Sequence, residues 1–578
     1  MTKIIVQKKN RLLKAYYLLP SKHRKRGIWV VLLMIVNAVL DFFSVASFLP
    51  LIFLIVKPDF IAGNKVTSGV YDFFGFTSQT SFVVVLTAGV LLFMIVKNLV
   101  NSWIASFKIK YAFEIAHCLS SHIIADYMKM PFSRFSKIDF TGELNRIVNH
   151  PLSFANSIIV PITTLICEMC IIALFLIWIA YYDLRMIMLL TGILLPAIVI
   201  YQLRRNNLKK IGESLRTSYR GTLKSALQVI EAVPEIKTYG RESFFHQKFQ
   251  GINRELAQMS IKDKSLQAAT SRLTEIIVGM LICLIIIYTV SVNEDYTQTL
   301  LLLGVYTAAS FRMIPSANRI LYALQQLRMN IHLLEELYFS QESTPVLRDT
   351  SAGLIFNDTI SFKNISFQYP DGAIAFKNIS FTIRKGEHIA ITGNSGEGKT
   401  TLLLVLLRFL KETEGKILVD GDVLVDETGW RKILGYVPQD PYIMDGTLCE
   451  NVAFGISAEQ IDRSKVFQIM TDLDMNDLVQ QLPNGIDSRI GERGSKLSGG
   501  QKQRLAIARA LYVDADILLF DEATNQVHDS LESEIMEHLA HIAGKKKTIV
   551  MVTHKVQTNF FDTVYLLENG SLKEIVMQ

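Results

Sequence analysis

The sequence reads Gly393-Asn394-Ser395-Gly396-Glu397-Gly398-Lys399-Thr400 between an apolar run, 388–392, and a leucine-rich run that begins at Thr401. This order predicts a strand, a glycine-rich loop and a helix. Glycines let backbone N–H groups close around phosphates at a helix start, where the helix dipole favours negative charge. The lysine can reach the outer phosphates and the threonine hydroxyl can ligate Mg²⁺, so a nucleoside triphosphate site is predicted. The alternative is a glycine-rich turn with a solvated lysine.

Two carboxylates follow a second apolar run, in Ile517-Leu518-Leu519-Phe520-Asp521-Glu522. Parallel strands present their carboxyl ends at one edge of a sheet, so these acids are expected beside the glycine-rich loop. Asp521 is predicted to hold the Mg²⁺ shell and Glu522 to polarise the attacking water. Phosphoryl transfer depends mainly on positioning and charge neutralisation, so few residues are needed. Acids that merely end a strand are the alternative.

Short β-type runs alternate with helical patterns from residue 355 onward, which predicts an α/β domain with a largely parallel sheet. The first 330 residues differ, because they hold long uncharged apolar runs. The whole chain of 578 residues is 50% hydrophobic, and its mean hydropathy is +0.29. At about 1.5 Å per residue, such runs can cross about 30 Å of hydrocarbon. Six membrane spans are predicted, at 27–56, 82–104, 158–182, 184–203, 276–292 and 300–321.

The loops between these spans predict an orientation. Residues 1–26 are basic and amphipathic, which is typical of a helix lying on the inner leaflet. The segments 107–150 and 204–270 are also rich in Lys and Arg, so both termini are predicted to be cytoplasmic. These two segments are heptad-like, so the second to fifth spans are expected to continue as helices into the cytoplasm. The domains are predicted as 1–328 in the membrane, a polar and helix-breaking linker at 329–354, and 355–578.

Charge and cysteine content narrow the function classes. The net charge is +7, but many basic residues flank apolar runs, where they face anionic lipid, so no nucleic-acid partner is expected. Five cysteines form no paired framework of a secreted protein. Cys167 and Cys170 form a C-x-x-C within an apolar helix, without a second ligand pair, so packed or lipid-facing thiols are favoured over a metal site.

A second phosphate-binding element is predicted at Leu497-Ser498-Gly499-Gly500-Gln501. A serine and two glycines at a helix start form another anion-binding end. With this pentapeptide the chain resembles, over its whole length, the ATP-binding cassette (ABC) superfamily. The resemblance implies ATP and Mg²⁺ as ligands, and an α-helical transmembrane domain followed by an α/β P-loop cassette, as in exporter-type half-transporters.

The resemblance also implies roles for further residues. Tyr369 matches the aromatic residue that stacks on adenine, Gln439 the glutamine that senses Mg²⁺, and His554 the switch histidine at the γ-phosphate. A core aromatic, a turn amide and a surface histidine are the alternatives. The implied catalytic residues are Glu522, His554, Lys399 and Gln439, and the implied Mg²⁺ residues are Thr400, Gln439 and Asp521. The implied ATP-binding residues are Tyr369, Asn394, Ser395, Gly396, Glu397, Gly398, Lys399, Thr400, Thr401, Ser498, Gly499, Gly500 and Gln501.

One segment departs from the family pattern. After Asp521-Glu522-Ala523-Thr524 the family usually continues Ser-Ala-Leu-Asp, whereas this chain reads Asn525-Gln526-Val527-His528. That loop couples the two ATP sites in relatives, so slower or less cooperative ATP hydrolysis is expected here. In the family, ATP lies between the phosphate loop of one cassette and the signature of another. The resemblance therefore implies two chains, most simply a homodimer. Coupling segments are expected at 136–144 and 232–242.

Charged residues within the predicted spans point to the cargo. Desolvating a charge in the bilayer is costly, so such residues should face a cavity, a partner or an interface. Snorkelling or inter-helix pairing is the alternative to a role in binding the cargo. The stretch 312–320 resembles the last span of bacterial flippases for lipid-linked oligosaccharides, whose cargo carries a pyrophosphate that arginine suits. A polyprenyl-linked glycan moved outward across a bacterial inner membrane is therefore the first expectation. Export of a lipid, hydrophobic drug or peptide, or a cassette ATPase without transport, are the alternatives. The candidate cargo-path residues are Asp41, Lys97, Glu168, Arg312 and Arg319.

Overall fold

The computed structural model describes residues 21–48, 50–51, 54, 69, 71–73, 75–76, 78–137, 139–182, 184–292, 296–340, 354–424, 427–522, 539, 547–553 and 560–575. Its contacts divide the chain into two compact units. The first consists of Met1–Met130 and Lys137–Pro345, and the second of Pro131–Ser136 and Val346–Gln578. The division between Pro345 and Val346 lies within the predicted linker.

The first unit is helical, as its long apolar runs predict. All six predicted spans lie on long helices, although the first continues past residue 48 into positions that are only partly described. Among the described residues, three stretches are long and apolar enough to cross a membrane: Lys22–Ala46, Gln79–Met128 and Phe140–Ala180. The helices are α1 (Ser21–Ala46), α2 (Gln79–Met128), α3 (Phe140–Leu144), α4 (His150–Phe154), α5 (Val160–Tyr182), α6 (Leu184–Glu231), α7 (Val233–Thr238), α8 (Glu242–Val292), α9 (Tyr296–Met329) and α10 (His332–Ser340).

Three of these helices are longer than a bilayer requires. Helix α2 has 50 residues, α6 has 48 and α8 has 51. At about 1.5 Å per residue, each measures roughly 72 to 77 Å, against about 30 Å of hydrocarbon. The expected helical extensions beyond the second, fourth and fifth spans are therefore present. The predicted inner-leaflet helix lies mainly at residues 1–20, outside the described part, and its last residues, 21–26, begin α1.

The third span starts irregularly. Two π-helical turns, Asn145–Asn149 and Ala155–Ile159, flank α4 before α5 begins. Phe154, Ile158 and Phe175 along this path are completely or almost completely buried, so the irregular turns still direct apolar side chains inward. π-helical turns insert one extra residue per turn and therefore rotate the following helix face.

The first part of the predicted linker is helical, contrary to its reading as a helix-breaking segment. Helix α10 places Leu333, Leu334 and Leu337 on one side, and all three are buried. The i, i+1, i+4 spacing of these leucines creates an apolar helix face. The polar composition of the segment as a whole hid this local pattern.

The second unit contains two sheets. The larger has the order β10-β9-β3-β8-β7-β6, with parallel pairing throughout except between β10 and β9. The smaller sheet is antiparallel, in the order β2-β1-β4-β5. The strands are β1 (Thr359–Gln368), β2 (Ile374–Arg384), β3 (His388–Thr392), β4 (Glu414–Val419), β5 (Asp422–Val423), β6 (Leu434–Val437), β7 (Ile517–Asp521), β8 (Thr548–Val552), β9 (Thr563–Glu568) and β10 (Ser571–Ile575).

Helices cover the parallel sheet and complete an α/β fold, as the alternation of patterns predicted. Strands β7 and β8 are buried along their whole length, which explains their continuous apolar sequences. The segment 131–136 belongs to this unit, and its Phe132 ring stacks on Phe409 with centroids 4.5 Å apart. The described helices are α11 (Lys399–Leu406), α12 (Glu427–Lys432), α13 (Leu448–Val452), α14 (Arg463–Asp472), α15 (Asn476–Gln481) and α16 (Gly499–Tyr512).

Candidate functional site

The glycine-rich loop connects β3 to α11 at the carboxyl edge of the parallel sheet. Gly393 has φ of 151° and Gly398 has φ of 96°, conformations that L side chains rarely adopt. A Cβ atom on Gly393 would lie 2.3 Å from the Leu567 carbonyl oxygen, and one on Gly398 would lie 2.9 Å from that of Ala375. These two glycines therefore allow the loop to pass close to neighbouring backbone.

Lys399 begins α11 and is held at this loop. Its Nζ atom donates hydrogen bonds to the carbonyl oxygens of Gly393 at 2.8 Å and Asn394 at 2.9 Å. The same atom lies 3.8 Å from Oε1 of Glu522. The side chain is 3% exposed, so its ammonium group is concentrated positive charge in a poorly hydrated place, suited to phosphate oxygens.

Asp521 ends β7 and accepts from two hydroxyl groups. The Thr400 hydroxyl donates to Oδ1 at 3.0 Å, and the Tyr436 hydroxyl donates to Oδ2 at 3.4 Å. Burial raises the pKa of Asp521, and the neighbouring charge of Glu522 adds to the rise, whereas the two hydroxyl donors lower the pKa. Burial also raises the pKa of Tyr436, with Asp521 adding to that effect, so the phenol stays protonated as a donor. The oxygen atoms of Thr400 and Asp521 fit a Mg²⁺ ion, which prefers such ligands.

Glu522 follows Asp521 in a left-handed backbone conformation, with φ of 48°. Such a conformation is uncommon for glutamate and is often found at functional sites. The backbone N–H of Glu522 donates to the carbonyl oxygen of Val552 at 3.1 Å, which fixes the turn. Nε2 of Gln439 donates to Oε2 of Glu522 at 3.2 Å. The structure therefore brings Lys399, Thr400, Gln439, Asp521 and Glu522 together around one loop.

Other residues predicted to bind ATP contact one another or neighbouring segments near the loop. The hydroxyls of Tyr369 and Thr401 are 2.7 Å apart, and the Tyr369 ring meets Phe367 edge-on at 5.0 Å. Oε2 of Glu397 accepts a hydrogen bond from the backbone N–H of Asn569 at 2.8 Å. Ser395 and Gly396 form the exposed turn of the loop.

The predicted second anion-binding end is formed as a capped helix start. Ser498 caps α16, its hydroxyl accepting from the Gln501 backbone N–H at 3.3 Å. Oε1 of Gln501 accepts in turn from the Ser498 backbone N–H at 2.8 Å. Gly499 and Gly500 are the first two residues of the helix. Among the described residues, no hydrogen bond or ion pair joins this element to the phosphate loop.

Two of the sequence-based predictions fall outside the described residues, His554 and the departing segment 525–528. One residue was missed, Tyr436, whose hydroxyl contacts the same carboxylate as Thr400. Tyr436 lies three positions before Gln439 on β6, and β6 pairs in parallel with β7, the strand that leads to the two carboxylates. This position in the sequence could have identified the residue. Sequence reasoning treated that strand only as the approach to the glutamine.

In the membrane unit, the predicted charges pair with one another. Nζ of Lys97 lies 2.9 Å from Oδ1 of Asp41, and the Arg312 guanidinium pairs with Oδ2 of the same carboxylate. Nδ2 of Asn101 also donates to Oδ1 of Asp41, at 2.9 Å. This cluster, named here the Asp41 cluster, joins α1, α2 and α9 and includes Ser44, whose hydroxyl lies 3.4 Å from Lys97.

Glu168 and Arg319 form a second pair, with Nη1 of Arg319 2.7 Å from Oε1 of Glu168. The Glu168 side chain is 3% exposed, whereas that of Arg319 is 48% exposed. Inter-helix pairing, one of the two alternatives that the sequence left open, is thus observed for all five charged residues. The sequence analysis missed Asn101 and Ser44. Asn101 lies one helical turn after Lys97, and Ser44 lies one turn after Asp41.

Comparison with protein families assigns both halves of the chain. Residues 376–525 match the family described as ABC transporter. Residues 30–324 match the family described as ABC transporter transmembrane region. The two matches follow one another in the order expected for a half-transporter, which overturns the alternative of a cassette ATPase without transport.

Similar proteins include exporters of two kinds. The chain is 29% identical over 425 residues to "ATP-dependent lipid A-core flippase" of Ralstonia nicotianae, covering 71% of this chain and 70% of the relative. It is also 29% identical over 345 residues to "ATM1-type heavy metal exporter" of Novosphingobium aromaticivorans, covering 59% and 56% respectively.

A solved structure shares the fold over nearly the full length. It is titled "Structure of a bacterial Atm1-family ABC exporter with ATP bound", and it matches with a TM-score of 0.73 at 23% identity, covering 95% of this chain and 94% of that one. The two family matches show that the chain belongs to the ABC transporter family. It joins, in one polypeptide, the helical transmembrane region and the ATP-binding cassette of an exporter-type half-transporter.

Proposed function

We propose that two copies of this chain form an ATP-driven flippase that moves a polyprenyl-linked glycan to the outer side of a bacterial inner membrane. In this proposal both termini and the cassette face the cytoplasm, because the basic loops lie on that side. The observation that carries the cargo assignment is the Asp41 cluster.

The charge of this cluster supports an anionic cargo group. Lys97 and Arg312 contribute two positive charges, and Asp41 contributes one negative charge, so among the described residues one positive charge of the cluster is left over. The side chains are 9 to 17% exposed, and a charge without a counter-ion in such a place is costly. A phosphate or pyrophosphate that approached the cluster would supply the missing negative charge. Arginine binds phosphate through paired donors, and the lysine adds a point charge.

The cassette residues would each contribute to ATP turnover. Lys399 and the loop N–H groups would hold the phosphates. The Tyr369 ring would stack on adenine after reorienting toward the bound nucleotide. Mg²⁺, held by Thr400 and Asp521, would neutralise phosphate charge. Glu522 would accept a proton from the attacking water, and its contact with Gln439 would link that carboxylate to the loop after β6.

A dimer is needed in this proposal because each chain offers one phosphate loop and one signature element. The described contacts leave the Ser498 helix start unconnected to the loop of the same chain. The backbone N–H groups of Gly499 and Gly500, which take no part in the Ser498–Gln501 cap, and the helix dipole are therefore available to a γ-phosphate held by the other chain. ATP would hold the two cassettes together, and hydrolysis would release them.

Relatives favour a lipid cargo as the second candidate. Several are named as flippases of lipid A-core, which makes a glycosylated lipid without a polyprenyl chain the nearest rival. Export of a heavy metal, as named for the ATM1-type relative, is less consistent with a cluster that carries excess positive charge. A drug or peptide cargo has no specific support among the described contacts.

Reconstitution would test the assignment. The purified protein would be placed in vesicles, and ATP-dependent loss of a fluorescent polyprenyl-pyrophosphate glycan from the ATP-facing leaflet would be measured. A glycosylated lipid, a peptide and a cationic drug would serve as competitors. We expect Arg312→Gln to lower flipping at least tenfold while ATP binding is kept. Arg272→Gln is the matched control, since its guanidinium pairs with Glu275 on an exposed surface. Transport of the peptide or drug in preference to the glycan would overturn the assignment.

A further inference from the structure

A small cavity opens between the first two helices of the membrane unit, away from the Asp41 cluster. Its volume is about 280 Å³, and α1 and α2 supply all of its walls. The side chains that line it are Arg26, Trp29, Phe107, Lys110, Tyr111 and Glu114.

The lining residues follow helical spacing on both helices. On α1, Arg26 and Trp29 are three residues apart, and Lys22 lies one turn before Arg26, so the three share a face. On α2, Phe107 and Lys110 are also three residues apart. The cavity is therefore the place where a stripe of cations and aromatic rings on one helix meets a similar stripe on the other.

The cations of the cavity exceed its carboxylates. Nη1 of Arg26 lies 2.9 Å from Oε2 of Glu114, which neutralises one positive charge. Lys110 has no ion pair within the described part of the chain, and neither does Lys22. Among the described residues, one positive charge is therefore left over in the cavity, and Lys22, which does not line it but lies one turn before Arg26, adds a second at the side that the basic loops are proposed to place in the cytoplasm. This excess matches an anionic group at the inner membrane surface.

Aromatic rings lie next to these charges and are accessible. Trp29 is 66% exposed and Trp103 is 60% exposed. The Trp103 ring stacks on Phe107 with centroids 5.9 Å apart. Tryptophan is enriched at the level where hydrocarbon meets head groups, because its ring is apolar and its N–H is polar. The two tryptophans therefore mark the membrane boundary beside the cavity.

An apolar stripe continues from the aromatic rings into the predicted bilayer. Leu92, Val96, Leu99 and Trp103 follow one another at four, three and four residues, and the three aliphatic side chains are 50 to 67% exposed. The stripe runs over residues 92–103, and the eleven steps along the helix measure roughly 16 Å, close to half of a hydrocarbon layer of about 30 Å. One acyl chain of the inner leaflet would cover it.

We propose that this surface, the α1–α2 groove formed by the cavity and the stripe, binds an anionic phospholipid of the cytoplasmic leaflet. The phosphate contacts Arg26 and Lys110, the glycerol region lies between Trp29 and Phe107, and an acyl chain lies along the stripe. The lipid is a resident of the site and not the cargo. The inference takes only the membrane orientation from the proposed function and needs neither ATP nor transport, so its test is separate from that of the cargo.

Tryptophan quenching tests the groove directly. The chain has four tryptophans, Trp29, Trp103, Trp178 and Trp430, and Trp430 is completely buried in the cassette. The full chain with Trp178→Phe would be placed in vesicles that contain increasing fractions of brominated phosphatidylglycerol in phosphatidylcholine, and in the reverse mixture. We expect brominated phosphatidylglycerol to be preferred about fivefold or more, since each cation at the surface contributes roughly fivefold in affinity.

Variants assign the preference to the two cations. The pair Arg26→Gln and Lys110→Gln is expected to lower the preference to about one. The pair Arg26→Lys and Lys110→Arg, which keeps the charges, is expected to retain it. Lys129→Gln is the matched control, because this exposed lysine follows α2 far from the cavity. Basal ATPase activity and thermal unfolding would confirm that each variant is folded.

The result that overturns the inference is equal quenching by the two brominated lipids in the parent protein. Absence of quenching by either lipid would also overturn it, because the groove would then be covered by protein. A preference that survives in the glutamine pair would assign the anionic lipid to another surface, and would equally refute the site.

Discussion

The carboxylate of Asp41 on α1 lies 2.9 Å from the ammonium group of Lys97 on α2. The same carboxylate also meets Arg312 on α9, so one acid connects three membrane helices. Each cation is poorly hydrated, and neither has another carboxylate among the described contacts. Asp41 is therefore the residue that compensates the positive charges of Lys97 and Arg312.

We predict that Asp41→Asn destabilises the transmembrane unit strongly. Removing one partner of a buried ion pair leaves charges without compensation, which costs about 3–5 kcal/mol. Adding Lys97→Met to Asp41→Asn restores the original net charge and should recover part of the loss. Thermal unfolding of the purified protein, followed by fluorescence, would measure both effects. Glu275→Gln, which breaks an exposed pair, is expected to change stability by less than about 0.5 kcal/mol. Equal stability of Asp41→Asn and the parent would refute the argument.

Tyr436→Phe should change the pH dependence of ATP hydrolysis. Burial holds the pKa of Asp521 above its usual value, and the Tyr436 hydroxyl opposes this by donating to the ionised form. Without that donor the pKa rises further, so the carboxylate becomes protonated at a higher pH as the solution is acidified. We therefore expect the acid limb of the rate profile to move to higher pH. At alkaline pH the rate should fall by roughly two- to tenfold, because one hydrogen bond worth about 0.5–1.5 kcal/mol is lost.

The matched control for this variant is Tyr442→Phe, since Tyr442 lies nearby in sequence and its side chain is 67% exposed. It should leave the profile unchanged. Identical acid limbs for Tyr436→Phe and the parent would show that the hydroxyl does not influence Asp521.

Glu522→Gln is predicted to separate ATP binding from hydrolysis. The amide cannot take a proton from water, so turnover should fall by roughly 10²- to 10⁴-fold, the usual contribution of a general base. The change is nearly isosteric, and the hydrogen bond with Gln439 can be kept by rotation of the amide. Binding of a fluorescent ATP analogue should therefore change little. A rate within threefold of the parent would exclude Glu522 as the base.

His528→Asp tests the departure from the family pattern. If the histidine weakens communication between the two ATP sites, the aspartate should raise the maximal ATPase rate or the Hill coefficient for ATP. Asn525→Ser, in the same segment, would show whether any return toward the family pattern has the same effect. Unchanged rate and Hill coefficient in His528→Asp would dismiss the idea.

Much of the fold followed from sequence because its signals are local. Leucine-rich runs, a glycine-rich loop and acids after an apolar strand each act through neighbouring residues. Helix α10 in the linker was missed because only three leucines, Leu333, Leu334 and Leu337, form its apolar face within an otherwise polar stretch. The pairing of Asp41 with Lys97 and Arg312 was left open for a different reason. It depends on helices that are far apart in sequence, and no single-helix pattern specifies which faces meet.

The three helices of about 75 Å have a mechanical consequence. A stiff rod of that length, shifted by about 5 Å at one tip, turns by only about 4 degrees about its other end. A rigid helix of this length would therefore convert a displacement of a few ångströms at its outer tip into a small rotation of its membrane-embedded part. If α6 and α8 transmit motion to the membrane, a flexible hinge inserted in either helix would absorb the displacement, so that the stiffness of these two helices would itself be needed for transport.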